Sequence, residues 1–235
     1  MPKRLIIAID GPSGAGKSTV ARMLARQLGY TYVESGAMYR AVALIALQRG
    51  CDLSDAASLE KLAAEAKIDF EFRDAANRIL VNGVDVTQAI RSPAVTEAAS
   101  IISAYAGVRK ELVAQQRALG ERGGVIMEGR DIGTKVFPDA DVKIFLDASL
   151  AVRGERRLHD EKAVQEKSLT AVMKEMDERD RRDREREESP LTEAENSIRI
   201  DSTHLTAEEV VQGIVKWVEE KRENQKQPQT SGEKH

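Results

Sequence analysis

The sequence predicts an α/β protein, a three-layer fold around a five-stranded parallel sheet, and three observations carry that expectation. Short runs of branched apolar residues recur at Leu5–Ile9, Tyr30–Val33, Val125–Met127, Val142–Leu146 and Ile198–Ile200. Segments with apolar residues at helical spacing lie between them, and strands alternating with helices make a parallel sheet. Most of the runs end in a polar residue or a glycine, where such sheets gather their ligands.

The first strand runs into Asp10 and then Gly11-Pro12-Ser13-Gly14-Ala15-Gly16-Lys17-Ser18, the G-x-x-x-x-G-K-[ST] spacing of a phosphate-binding loop. Glycine reaches positive φ without a Cβ clash, so successive N–H groups can converge on anionic oxygens. Lys17 can then reach the β- and γ-phosphates, and the Ser18 hydroxyl can ligate Mg²⁺. The helix expected over Lys17–Leu28 points its positive N-terminus at the same place. A chance glycine turn is the bland alternative, and the strand before it and helix after it argue against that.

The second strand leads to Ser35-Gly36-Ala37-Met38-Tyr39-Arg40 and a helix over Ala37–Arg49. Ser35 alone is an ordinary helix cap. Arg40, in the first turns beneath the sheet's carboxyl edge, can face a second phosphate. The alternation then breaks. Ile68–Arg73 alternates at period two, Arg78–Val86 reads as extended, and Asn82-Gly83 is a tight-turn signal. A small antiparallel insert is expected across Ile68–Ile90, followed by a helix from about Pro93. The third strand ends in Glu128-Gly129-Arg130-Asp131-Ile132-Gly133-Thr134. These charges suit a structural ion pair, but the glycines suggest backbone close to a ligand. Arg130 can pair with a phosphate and Asp131 can accept from an amino group. The fourth strand reaches Asp147 and a helix over Leu150–Asp160. The fifth precedes a helix over Thr206–Lys221, and Asn224–His235 has the composition of a disordered tail.

Asp177–Glu188 is an unbroken run of twelve charged residues, five of them arginine. A solvated helix face is the usual reading of such a run. Yet Arg179, Arg182, Asp183 and Arg186 fall at i, i+3, i+4 and i+7 on one helical face, and guanidinium groups so placed clamp phosphate oxygens.

The 235 residues suffice for one well-packed domain, with 32% charged and 41% apolar residues. The net charge of −3 speaks against a general nucleic-acid binder. Cys51 is the sole cysteine, so no intrachain disulfide can form. Met1-Pro2-Lys3-Arg4 leads straight into the first strand without a signal peptide, and no apolar stretch nears the ~20 residues of a membrane span. A cytoplasmic protein with no membrane or nucleic-acid partner is expected. His159, His204 and His235 lie outside every charged motif. Transfer to an already anionic phosphate needs no strong general base, so this is compatible with phosphoryl transfer.

Taken together, GPSGAGKST, ESGAMYRA, EGRDIGTKVFPDADVKIFLDAS, ERDRRDRER and DST resemble the bacterial cytidylate kinases, over about Leu5 to Lys221. The resemblance implies a nucleoside monophosphate kinase with a monophosphate-binding insert and a helical lid, and the reaction ATP + CMP ⇌ ADP + CDP, with dCMP accepted and Mg²⁺ required. It implies a kinase domain over 1–223: core 1–62 and 103–223, insert about 63–102, lid about 155–188, with 224–235 as tail. Gly11, Pro12, Ser13, Gly14, Ala15, Gly16, Lys17, Ser18 and Thr19 would bind ATP, with Ser18 on the metal. Ser35 and Arg40 match the motif whose arginine binds the acceptor phosphate. Arg130 would join it there, with Asp131, Ser100 and Arg109 on the cytosine. Asp183 would hold the ribose, and Arg179 and Arg186 the phosphates; Lys17, Arg130, Arg179 and Arg186 are the catalytic candidates. Some members carry Asp where this chain has Glu128, which leaves its role open. A monomer is the family's default.

Three readings compete, one of them a nucleic-acid-binding ATPase that rests only on the arginines near Arg181, which seven acidic residues among the twelve cancel. Another small acceptor, such as shikimate or a different monophosphate, would differ only at the base-reading positions. A GTP-dependent switch would need an Asn-Lys-x-Asp motif, and Thr134-Lys135-Val136-Phe137 does not satisfy it.

Overall fold

The computed structural model describes residues 4–73, 76–160 and 168–224. Its elements are, in order, β1 (Ile6–Asp10), α1 (Lys17–Leu28), β2 (Thr31–Glu34), α2 (Ser35–Gln48), α3 (Ala56–Glu65), β3 (Ile68–Arg73), β4 (Ala76–Val81), β5 (Val84–Asp85), α4 (Pro93–Ile102), α5 (Ala106–Gly120), β6 (Val125–Gly129), β7 (Val142–Asp147), α6 (Leu150–Asp160), α7 (Leu169–Glu185), β8 (Ile198–Asp201) and α8 (Ala207–Asn224). One turn of π-helix, Ile132–Val136, follows β6.

Five strands pair in parallel in the order β2-β6-β1-β7-β8. All five expected strands are present, each displaced by no more than two residues at an end. The hairpin β3–β4 and the short β5 form a separate antiparallel sheet, with the Asn82-Gly83 turn at positive φ as its sequence requires. The helix expected from Pro93 is α4, with proline in its first turn and the Ser92 side chain accepting from the Val95 N–H. Sequence reading did not single out α3 and α5. Both are amphipathic helices of the irregular middle region: α3 has no core strand at either end, and α5 has one only after it, β6. In the charged run, α7 stops at Glu185, and Arg186 is the extended residue after it. Arg182 is exposed, so the expected four-residue face is reduced.

Alternation along the strands divides the core. Ile7 and Ile9 of β1 pack with Val20 and Leu24 of α1 and Ile214 and Val218 of α8. Ala8 faces the other way, with Val33, Met127, Ile132 and Val136. A third cluster joins α2, α3, α4 and α5 to the small sheet through Leu59, Ile79, Val81, Ile102 and Leu112. The insert strands therefore have no core of their own and share that of the helices beside them. The expected lid reaches into 161–167 and the expected tail into 225–235, both outside the described residues.

The parallel register brings the carboxyl ends of β1, β2, β6 and β7 to one edge. There Gly11, with φ at 148°, passes so close to β7 that a Cβ would overlap the Leu146 carbonyl oxygen. Any side chain at Gly11 would force the phosphate loop off the sheet.

Candidate active site

Above that edge lies a cleft of about 1030 Å³, at the upper end of the roughly 300–1,000 Å³ usual for small-molecule sites. Of the residues singled out from sequence, Ser13, Gly14, Gly16, Lys17, Ser18 and Thr19 line it on the loop side. Ser35, Arg40, Ser100, Arg109, Arg130, Asp131, Arg179, Asp183 and Arg186 line the same cleft. Gly11, Pro12 and Ala15 do not; they shape the loop from behind.

Gly14 and Gly16 take positive φ of 73° and 93°, and Gly16 caps α1. Lys17, the first residue of that helix, is buried and donates from Nζ to the Pro12 carbonyl at 2.7 Å. Burial, reinforced by the Arg130 charge, pulls its pKa down to about 7. Ser18 Oγ donates to Glu128 Oε1 at 2.7 Å, and the Tyr32 hydroxyl donates to the same oxygen at 3.3 Å. Burial, then the neighbouring Glu128 charge, holds the Tyr32 hydroxyl well above its ordinary pKa. The residue left open in sequence thus stands at the loop's serine.

Ser35 does not cap α2: it is the helix's first residue, and its hydroxyl donates to the Glu128 carbonyl at 2.8 Å, tying β2 to β6. Glu34, just before it, pairs with Arg40 and stands 3.9 Å from Arg91 Nη2. Burial alone would raise the Glu34 carboxyl, but the two arginines overcome this and lower it. Arg109, from α5, pairs with Asp131, donates to the Ser103 carbonyl at 3.2 Å and lies over the Tyr39 ring at 5.5 Å. Arg130 Nε donates to Asp183 Oδ2 at 2.8 Å. Arg186 lies 3.7 Å from Asp183 Oδ1 and 3.9 Å from Asp131 Oδ1. Burial and the adjacent Arg130 draw Arg179 down to about 10. Several cations thus share one partly desolvated cleft, and positive charge packed this closely favours a polyanion there.

Sequence reading missed several participants. Asp10, one residue before the loop, accepts the N–H groups of Ile132 and Gly133 at 2.8 and 2.7 Å, and so seats the turn that carries Arg130 and Asp131. Burial still pushes its carboxyl up to about 7. Arg91, from the turn before α4, joins the cleft wall. His159, expected away from every motif, also lines the cleft, from the end of α6. Its neighbours in sequence give no signal of this; only the packing of α6 over the loop brings it there.

The donors around Ser18 and Glu128 are oxygens, the set a hard divalent cation takes. Among the described residues no group of three or more metal-ligating side chains gathers. A cation here would complete its shell with phosphate and water, as Mg²⁺ does.

The family profile described as cytidylate kinase matches residues 7–220. The chain is 45% identical over 223 residues to the cytidylate kinase of Bacillus licheniformis, covering 94% of this chain and 99% of that one. It is 49% identical over 219 residues to the cytidylate kinase of Solibacter usitatus, covering 92% and 93%. It is also 50% identical over 218 residues to a bifunctional pantoate ligase/cytidylate kinase of a Synechococcus strain, of whose length it spans 40%. Among solved structures, a gluconokinase from Sinorhizobium meliloti shares the fold with a TM-score of 0.51 at 16% identity, covering 96% of this chain and 97% of that one. Among the described residues no helix is long and apolar enough to cross a membrane.

Proposed function

The chain belongs to the cytidylate kinase family, and from that premise we propose how its cleft moves the γ-phosphate of ATP to CMP or dCMP, yielding ADP and CDP or dCDP. The observation that carries the acceptor assignment is the buried Arg109–Asp131 pair facing the same cleft as the phosphate loop. Cytosine offers an N4 amino donor beside its N3 and O2 acceptors. Asp131 suits the donor, Arg109 the acceptors, and Ser100 lines the wall beside them. Arg40 and Arg130 take the acceptor phosphate, with Ser35 holding the strand ends beneath it, and Asp183 takes the ribose hydroxyls.

On the donor side the loop N–H groups and Lys17 hold the triphosphate. Ser18 and Glu128 would hold Mg²⁺, which when bound neutralises phosphate charge. Arg179 and Arg186 then stabilise charge on the group in transfer, in line between the two nucleotides. No side chain need act as a strong base, because the attacking oxygen belongs to a phosphate already ionised. We read the catalytic unit as a monomer, the default of the family. We read residues 1–223 as that catalytic unit, with 63–102 and 155–188 as its insert and lid.

Uracil would set its O4 acceptor against the Asp131 carboxylate. A mispaired buried polar group costs about 1–3 kcal/mol, roughly ten- to a hundredfold in rate. Initial rates with CMP, dCMP, UMP, AMP and GMP at fixed MgATP are expected to rank CMP and dCMP first by that margin. Equal rates with UMP would overturn the base assignment. Arg186→Ala is expected to lower kcat by about 10- to 100-fold while ATP binding holds within about twofold, because its partners lie on the acceptor side. Near-normal turnover would leave this arginine as a structural partner of Asp131 and Asp183.

A further inference from the structure

Two carbonyls of the phosphate loop are fastened by side chains of other elements. Ser13 O accepts from Arg153 Nη1 at 3.0 Å, and Ala15 O accepts from Arg156 Nη1 at 3.4 Å and Ser202 Oγ at 3.3 Å. A trans peptide is planar, with its N–H opposite its C=O. Holding the Ser13 carbonyl outward therefore turns the Gly14 N–H the other way, toward the cleft that Gly14 lines.

Ser13 is held through both of the peptide units that flank it. Its N–H donates to Asp180 Oδ1 at 3.2 Å, and Asp180 pairs through its other oxygen with the same Arg153 that holds the carbonyl. Asp180 is 0% exposed and Arg153 6%. Arg153 is fixed in turn by donating from Nε to the Ala148 carbonyl at 3.0 Å. The fit allows no slack, since a Cβ on Gly14 would come within 2.8 Å of the Arg153 carbonyl oxygen and of Met176 Cε. Asp180 thus departs from its neighbours in the charged run: Arg179 and Asp183 face the cleft, while Asp180 grips the loop.

We propose, resting on the reading of this loop as the ATP site, that Arg153 and Asp180 are positioning residues for the donor nucleotide. Arg153 holds the Ser13–Gly14 peptide so that the Gly14 N–H is presented to phosphate oxygens before nucleotide arrives, and Asp180 holds the Pro12–Ser13 peptide and Arg153 itself. They also lock the loop to α6 and α7, so the helix that brings Arg179 and Asp183 to the cleft is registered on the same loop as the donor. A purely structural pair would support the fold and treat both nucleotides alike.

Isothermal titration of the full chain with MgADP and, separately, with CMP distinguishes the two. Arg153→Met keeps the volume and removes the hydrogen bonds, and is expected to weaken MgADP by about tenfold or more while CMP stays within about twofold. Asp180→Asn keeps one acceptor and should show a smaller loss in the same direction. Circular dichroism at the assay temperature establishes that each variant is folded. If Arg153→Met fails to fold, Asp180→Asn and Arg153→Lys, which cannot span both the Ser13 and Ala148 carbonyls, carry the same test. Unchanged MgADP affinity in a folded variant, or equal weakening of both ligands, would overturn the proposal. MgADP binding by the unaltered protein tests the reading of the loop as the ATP site alone, so its failure would not be mistaken for failure of the clamp.

Discussion

Lys17→Ala is expected to lower kcat by about 10²–10³-fold, the usual cost of removing one pre-placed charge from a transferring group. Lys17 is the first residue of α1, held by the loop it serves, so its side chain is in place before substrate arrives. The variant should remain folded, because the ligand-free protein gains little from a buried ammonium. Its folded pKa, drawn down to about 7 by burial and then Arg130, lies below the ordinary lysine value of 10.5. Between those values the unfolded chain binds more protons than the folded one, and ligand-free stability from this group rises with pH. Denaturant titrations from pH 7 to 10 should show that rise in wild type and a flatter profile in Lys17→Ala. Matching profiles would mean that Lys17 is already fully charged in the ligand-free site. Saturating initial rates within tenfold of wild type would remove it from the transfer step.

Asp131 carries the second large effect, and two substitutions separate its two roles. Arg109 and Arg186 both face its carboxylate, and the residue is buried. Asp131→Ala strands those cations and is expected to destabilise the protein by about 3–5 kcal/mol, the cost of breaking a buried pair from one side. Asp131→Asn keeps the shape and supplies an N–H₂ donor, which fits the O4 of uracil better than the N4 amine of cytosine. Its ratio of kcat/KM for CMP over UMP should fall by at least about tenfold. A ratio unchanged in folded Asp131→Asn would show that Asp131 supports the fold and does not read the base.

Much of the site was legible because its signals are local. Gly11–Ser18 is a contiguous pattern whose steric logic needs no neighbours, and Arg130 and Asp131 stand in a short motif at a strand end. The charged run was half legible: helical spacing brought out Arg179 and Asp183, but the helix ends before Arg186, and Arg182 on the expected face is exposed. Asp10, Glu34, Arg91, Arg153 and Asp180 were not legible. Each acts through a partner that no spacing rule connects to it, and each reads in sequence as an ordinary surface charge.

The sequence by itself determined the five core strands, most of the helices and the loop we propose for the triphosphate, since alternation, helical period and glycine sterics act over a few residues. Tertiary structure alone decided what the charges do. The parallel crossovers set Asp10 against Ile132 and Gly133 and carry Asp180 across 167 residues to the Ser13 N–H. A charge withdrawn from water must find its partner among whatever the packed helices bring beside it, and that depends on the whole fold.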